Sequence, residues 1–464
     1  DRDIIKLVKL SQQLTTALPQ KAGLLIYKIP PDTTARMEIA KVRLRDNFLL
    51  IPIPITSLET ALADKYKCIG LLEDYIDRYL QHADFFDDRN AISDTLSFFG
   101  RTEILQRLAE ELLRHQGLGL FGLRKSGKTS VLLQLGFMLR EHPIIHIDLQ
   151  TYSGSRYGAA LFNQILQSLA TLESEIPLPQ FVPFPLDKPA AELTAEFIQR
   201  VNEFARIIKK SHKNKLPILC FLDEVERIIP TPEDNREIAE EFNACFGALR
   251  VLSQQKKEIS LLVADVHPDC NRINSWTQTG VATNPVFSFF KEIFLPPFSE
   301  QETQEMLVNL GKLMGLEFDA ATPQKIHYQS GGHPFVSRQI ARFLTDKIKN
   351  QDNQTKLAQN GNTLIEWAIV EKYLAKTLTQ KGELKNYLEK SIWEDLEKRN
   401  FLIAISVLRI IACNETFHHR ITQPALINQL KSRFTANQCL AACNWLINVG
   451  LLYQEEVELE DLYY

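Results

Sequence analysis

The stretch that most constrains this chain is Gly122-Leu123-Arg124-Lys125-Ser126-Gly127-Lys128-Thr129-Ser130, a glycine followed by four residues and then Gly-Lys-Thr. Before it, Leu118-Gly119-Leu120-Phe121 reads as a short buried strand. After it, Val131 to Leu139 reads as a helix with an apolar face. Strand, glycine loop and helix in that order make a phosphate-binding P-loop. The spacing has a physical reason. Gly122 and Gly127 let the backbone curl until successive N–H groups point inward at phosphate oxygens. The helix starts at the loop, so the positive end of its dipole faces the same anion. Lys128 can reach the β- and γ-phosphates and Thr129 can hold a magnesium ion. A chance glycine turn beside a lysine would not bring both flanks with it.

The 464 residues suggest about three domains. With 45% apolar and 24% charged residues, the chain can build real cores. A net charge of −4 and a pI near 6.3 provide no global attraction to nucleic acid or an anionic membrane. No apolar run reaches the length of a membrane span. The seven cysteines, at 68, 220, 245, 270, 413, 439 and 443, contain no Cys-x-x-Cys. They suit free core thiols in a reducing, cytoplasmic compartment. Cys439 and Cys443 share a helix face, but a metal site would need two more ligands and none is close in sequence. The opening Asp1-Arg2-Asp3 runs straight into an amphipathic pattern, with no signal peptide and no initiator Met. The expectation is that this is the C-terminal part of a longer protein.

Along the chain, residues 1–18 have helical spacing, 23–29 read as a buried strand, 32–45 as a charged helix and 47–53 as a second strand. Two strands joined by a helix predict a parallel α/β unit. Helices follow at about 57–64 and 68–81, then a polar linker around 82–90. The linker carries Asp87-Asp88, which no strand presents as a catalytic pair. Further strands are expected at 118–121, 144–149, 216–222, 259–265 and 292–295, and helices at 156–172 and 191–212. Residues 176–190 carry prolines at 177, 179, 183, 185 and 189 and read as a loop. From Ser299, where Ser299 and Glu302 have the form of a capping box, the pattern turns helical. Helices at 299–314, 322–329 and 335–348 predict a small all-helical lid. A polar boundary at 349–363 precedes helices at 364–377, 384–399, 401–413, 422–432 and 435–449. A strand pair is expected at 451–453 and 457–462.

The segment Leu216 to Glu224 is an apolar run ending in two carboxylates. A run without alternation fits a strand covered on both faces. Its acids then sit at the carboxyl end, where open α/β sheets bind ligands. Asp223 is the expected magnesium ligand, and Glu224 the group that orients or deprotonates the attacking water. An acidic helix N-terminus is the bland alternative. Asp265 to His267, at the end of the next strand, reads equally as a γ-phosphate sensor or a plain strand-end cap.

These residues carry a resemblance. Phe99-Gly100-Arg101 with Glu103, the P-loop, Leu222-Asp223-Glu224, Leu295-Pro296-Pro297-Phe298-Ser299 and Gly331-Gly332-His333-Pro334-Phe335 resemble STAND-type AAA+ ATPases. Prokaryotic and archaeal P-loop ATPases with a C-terminal winged helix are the nearest kind. The likeness covers about 93–350 and implies a fold class of α/β type. This would be an AAA+-like parallel sheet with a helical lid, then an all-α/winged-helix domain, after an N-terminal partial α/β segment. The implied domains are 1–92 (segment and linker), 93–298 (nucleotide core), 299–350 (lid), 351–400 (linker helices) and 401–464 (winged helix). It implies that ATP or ADP with Mg2+ binds between core and lid. Phe99, Gly100 and Arg101 would flank the adenine, Pro334 would pack on it from the lid, and Arg338 would act as a second sensor. Gly122 to Ser130 would hold the phosphates, with Lys128 and Glu224 catalytic.

In related switch ATPases a Met-His-Asp element late in the winged helix contacts ADP. Leu459-Glu460-Asp461-Leu462 stands in that place with no His, and His418-His419 are nearby only in sequence. No arginine finger is identifiable. The implied function is a slow ATPase acting as a nucleotide-controlled conformational or oligomerisation switch in prokaryotic signalling or antiviral defence. Its partners would be nucleotide and itself or another protein, with an effector at or upstream of the N-terminus. The alternative is a DNA-binding AAA+ initiator or regulator. That is disfavoured because Thr435 to Asn448 contains no Lys or Arg and the following strands are acidic.

Overall fold

The computed structural model describes residues 98–464 except 153–155, 173–176, 211–214, 232–233, 235, 277–282, 315, 350–362, 380–381, 400, 415–419, 458–459 and 464. Before residue 98 it describes 6, 21–29, 39, 42, 48–62, 65–76, 85–86 and 92. The expected 1–18 and 32–45 helices lie almost wholly outside the described residues, and Asp87-Asp88, His418-His419 and Leu459 wholly so. The chain forms two compact units, Arg101–Pro296, and Asp1–Gly100 together with Pro297–Tyr464. The divisions fall at 100/101 and 296/297, and the N-terminal segment belongs to the unit that also contains residues 297–464.

Within the unit that begins at Asp1, β1 (Lys21–Tyr27) pairs in parallel with β2 (Phe48–Pro54), as the α/β pattern predicts. Helices Ile55–Ala61 and Lys65–Ile76 pack on β2, burying Leu50, Ile51 and Ile53. The expectation of a buried first strand is corrected. Leu24 and Ile26 are 43% and 54% exposed, because alternate residues of a strand point to opposite faces and these two share an uncovered one.

The unit Arg101–Pro296 is a five-stranded parallel sheet flanked by helices. Its strands are β3 (Leu118–Phe121), β4 (Ile144–Asp148), β5 (Ile218–Asp223), β6 (Ile259–Asp265) and β7 (Lys291–Phe294), in the order β4-β5-β6-β3-β7. Every residue of the three central strands is buried, whereas the edge strands β4 and β7 are not covered throughout. This is why Leu219 to Leu222 and Leu261 to Ala264 are apolar without alternation. Helices Gly158–Ala170, Ala190–Ile208 and Arg236–Arg250 interlock through the stacked Phe162 and Phe197 rings, 4.0 Å apart, and through Phe242 against Phe246 and Trp276.

In the remaining chain, helix Glu300–Leu313 starts with the expected capping box. Ser299 Oγ accepts from Glu302 N, and Glu302 accepts from Ser299 N. Helices Thr322–Ser330 and Pro334–Lys349 follow. The expectation of an all-helical lid is corrected by β8 (Leu316–Phe318), which pairs in parallel with β9 (Thr363–Ile365). Three residues are too few to show a period of two, and the partner is remote in sequence. Further on, helices Leu402–Ala412, Gln423–Leu430 and Ala436–Asn448 accompany a three-stranded antiparallel sheet. That sheet is β10 (Ile421–Thr422), β12 (Glu460–Tyr463) and β11 (Gln454–Val457), in that order. The strand pair expected at 451–453 and 457–462 is therefore displaced along the chain. Leu452 serves the core at 2% exposure, and the polar Gln454 to Glu456 form the strand instead.

Cys220, Cys245, Cys270, Cys439 and Cys443 are buried, as core thiols should be. Burial pushes the Cys220 thiol up to about 12 and the Cys443 thiol up to about 11. No helix among the described residues is long and apolar enough to cross a membrane.

Candidate functional site

The loop Gly122–Gly127 leaves the carboxyl end of β3 and runs into helix Lys128–Met138. Gly127 has φ +99°, a conformation that L side chains rarely adopt, so a glycine is needed where the loop turns into the helix. Lys125 is held at φ +58° within the turn. Lys128 is buried, and its Nζ donates to the carbonyls of Gly122 and Leu123, both at 2.9 Å. Burial pushes its ammonium below the ordinary lysine value, and the surrounding carboxylates, Asp223 first, work in the opposite direction. A desolvated cation clamped to its own loop is preorganised to meet a phosphate without reorganising water.

Asp223 ends β5 beside this loop. Thr129 Oγ1 donates to Asp223 Oδ2 at 2.6 Å, and Asp223 Oδ1 accepts from Glu224 N at 3.0 Å. Thr129 and Asp223 thus bring two hard oxygens side by side, the donor type that magnesium takes. Glu224 sits in the left-handed region, φ +57°, ψ +43°. A non-glycine residue there is under local strain of the kind found at functional sites. Burial, then the charges of Glu226 and Asp223, raise the Glu224 carboxyl above the usual carboxylate range. A raised carboxyl is a better proton acceptor for water near neutral pH.

Two further acids complete the site, and sequence reasoning missed one of them. Glu226, in the single turn Val225–Arg227 after β5, forms an ion pair with Arg124 of the loop, Oε1 to Nη2 at 2.6 Å. Its only trace in the sequence is its place three residues beyond Asp223. Asp265, ending β6, is 2% exposed. Its Oδ1 accepts from its own following amide, Val266 N, at 2.6 Å, which makes it a strand-end cap. Burial and the neighbouring Glu226 carboxyl push Asp265 well above its ordinary value. Burial acts against ionisation of Glu226 too, but the neighbouring Asp265 carboxyl and the charges of Arg124 and Lys128 hold it below the usual range.

The structure therefore gathers Gly122, Leu123, Arg124, Lys125, Ser126, Gly127, Lys128, Thr129 and Ser130 with Asp223 and Glu224. Arg101 joins them. In the left-handed region at φ +68°, it donates through Nη1 to Pro296 O and through Nη2 to Ser126 O at 3.5 Å, so it braces the loop. Phe99, Gly100, Pro334 and Arg338 belong to the other compact unit. There Phe99 is 4% exposed within an apolar cluster with Phe298 and Met306. Arg338 is 3% exposed with its Nε on Met306 Sδ at 3.4 Å. Pro334 opens helix Pro334–Lys349, where its missing N–H costs nothing.

Comparison with known proteins adds the following. The family model described as Novel STAND NTPase 1 matches residues 89–357. No curated protein matches the chain. Among solved structures, a Walker-type ATPase of Pyrococcus abyssi is similar with a TM-score of 0.51 at 15% identity, over 81% of this chain and 96% of that chain. The RuvB Holliday junction branch migration motor of Thermotoga maritima is similar with a TM-score of 0.38 at 16% identity, over 80% of this chain and 93% of that one. At 15% identity the first is a likeness of fold alone.

Proposed function

We propose that this chain, which belongs to the novel STAND NTPase 1 family, binds ATP and ADP with Mg2+, hydrolyses ATP slowly, and uses the nucleotide as a conformational or assembly switch. The observation that carries the reading is the 2.6 Å contact between Thr129 Oγ1 and Asp223 Oδ2 beside the buried Lys128. It joins the loop that would cradle phosphates to the strand end that would hold the ion. Thr129 and Asp223 would hold magnesium, which when bound neutralises charge on the phosphates. The N–H groups of Gly122 to Ser130 and Lys128 Nζ would bind the phosphate oxygens, and Glu224 would take the proton of the attacking water.

The switch reading has an energetic condition. ATP at ~100 times its dissociation constant stabilises the bound form by about 2.7 kcal/mol. A full population flip needs ~5.5 kcal/mol of differential affinity. A second input, either self-association or a protein partner, is therefore part of the proposal. Residues 93–298 would form the nucleotide core, 299–350 the lid and 401–464 a winged helix that reports the nucleotide state. DNA binding is the weaker reading, because helix Ala436–Asn448 contains no Lys or Arg. Titration of the purified chain with fluorescent ADP and ATP, with and without Mg2+, tests the reading. Saturable, Mg2+-dependent binding is expected, and no binding of either nucleotide would refute it.

A further inference from the structure

We propose that Glu226 is an internal competitor for the P-loop arginine. It holds Arg124 until a triphosphate displaces it, so the Arg124–Glu226 pair sets the preference for ATP over ADP. The proposal rests on the nucleotide reading above and adds a residue and a role to it.

Arg124 Nη2 and Glu226 Oε1 form an ion pair at 2.6 Å. Its two ends differ. The Glu226 side chain is 14% exposed, in a turn fixed to the end of β5, whereas the Arg124 side chain is 42% exposed on the loop. The arginine is therefore the end that can leave. Glu226 also has somewhere to turn when Arg124 goes. The Asp265 carboxyl is its side-chain neighbour, and Asp265 Oδ2 is buried and accepts no N–H or O–H among the described residues. Neighbouring carboxyls in a buried place share a proton more readily than they carry two charges. Glu226 thus keeps a second neighbour when Arg124 leaves.

A γ-phosphate needs Arg124 more. It presents several anionic oxygens to a planar guanidinium that can bond two of them at once. Arg124 stands within the loop that carries Lys128 and Thr129, between Gly122 and Gly127. A triphosphate bound in that loop would compete with Glu226 for the same guanidinium. ADP has no γ-phosphate and would leave the ion pair intact. The resulting discrimination is a difference of two bindings, the favoured ligand being the one that can take Arg124 from its internal partner.

The test measures dissociation constants of the full chain for ADP and for a non-hydrolysable ATP analogue, both with Mg2+. Glu226→Gln removes the competing charge. It should tighten the triphosphate about fivefold, the size of a partly exposed ion pair, with ADP nearly unchanged. Arg124→Ala should weaken the triphosphate and not ADP, and the double variant should behave like Arg124→Ala alone, since the two residues act through one contact. Glu226→Asp keeps the charge beside Asp265 but shortens its reach. It should shift the triphosphate in the same direction as Glu226→Gln, and it serves if the glutamine variant does not fold. An unchanged ratio of triphosphate to ADP affinity in the Glu226 variants, or additive effects in the double variant, overturns the proposal. Failure of the unmodified chain to bind ADP would instead refute the nucleotide reading.

Discussion

Glu241 offers a sharp test of how the nucleotide unit is held together. It is 3% exposed, on helix Arg236–Arg250, and its two carboxylate oxygens serve two different helix starts. Oε1 accepts from Gly158 N at 2.8 Å and Oε2 accepts from Ala190 N at 2.9 Å, each the first residue of a helix. One side chain therefore satisfies two buried donors and sets one negative charge against two positive dipole ends. Glu241→Ala leaves two buried N–H groups without partners, at ~1–3 kcal/mol each. It also removes an anion from two helix N-termini, at ~0.3–1 kcal/mol each. The expected loss is about 4 kcal/mol, a large share of the stability of an ordinary domain. Glu241→Gln keeps one acceptor but turns an NH2 group toward the second donor, so about half that loss is expected. Urea unfolding followed by tryptophan fluorescence reads it out, because Trp276 packs edge-on against Phe242 of the same helix. A loss below about 1 kcal/mol for the alanine variant, or equal losses for both variants, would refute the double-cap account.

Other outcomes follow from the site and from the helical unit. Asp223→Asn should lower the Mg2+-dependent part of ATP affinity by at least about tenfold, measured as the ratio of dissociation constants with and without the ion. Glu224→Gln should retain nucleotide binding while hydrolysis falls by roughly 10²–10⁴-fold in a phosphate-release assay. Because the Glu224 carboxyl is raised, it is protonated and useless as a base below its folded value. The hydrolysis rate of the unmodified chain should therefore fall on acidification at a higher pH than an ordinary glutamate would give. Gly332→Ala should destabilise the helical unit by roughly 1–3 kcal/mol in thermal unfolding. Gly332 has φ +69°, and a Cβ there would collide with the Phe298 carbonyl.

What could be read from the chain and what could not divide along physical lines. The P-loop was legible because its glycines, lysine and threonine are local, and the flanking strand and helix confirm one another within a few residues. Asp223 and Glu224 were legible because a strand buried on both faces must be apolar until it ends, and Glu302 because a capping box is a four-residue motif. The short pair β8 and β9 was not, since its register depends on a distant partner. Leu24 and Ile26 looked like core because hydrophobicity alone does not say which face of a strand is covered. Glu226 was missed for another reason. An acid after a Walker-type strand looks like solvent-facing charge until Arg124 and Asp265 are seen beside it. The family resemblance assigns Phe99 and Arg338 to the nucleotide; both are buried side chains of the unit that contains Pro297–Tyr464.

In the proposed function, Thr129, Lys128 and Asp223 would together form a magnesium–nucleotide site. The most direct measurement is calorimetric titration of ADP and ATP into the full chain, with and without Mg2+, beside the same titration of Lys128→Ala. Saturable binding strengthened by Mg2+ is expected in the unmodified chain and its loss in the variant, with the fold retained by circular dichroism. Binding that is indifferent to both Mg2+ and Lys128, or no binding at all, would contradict it.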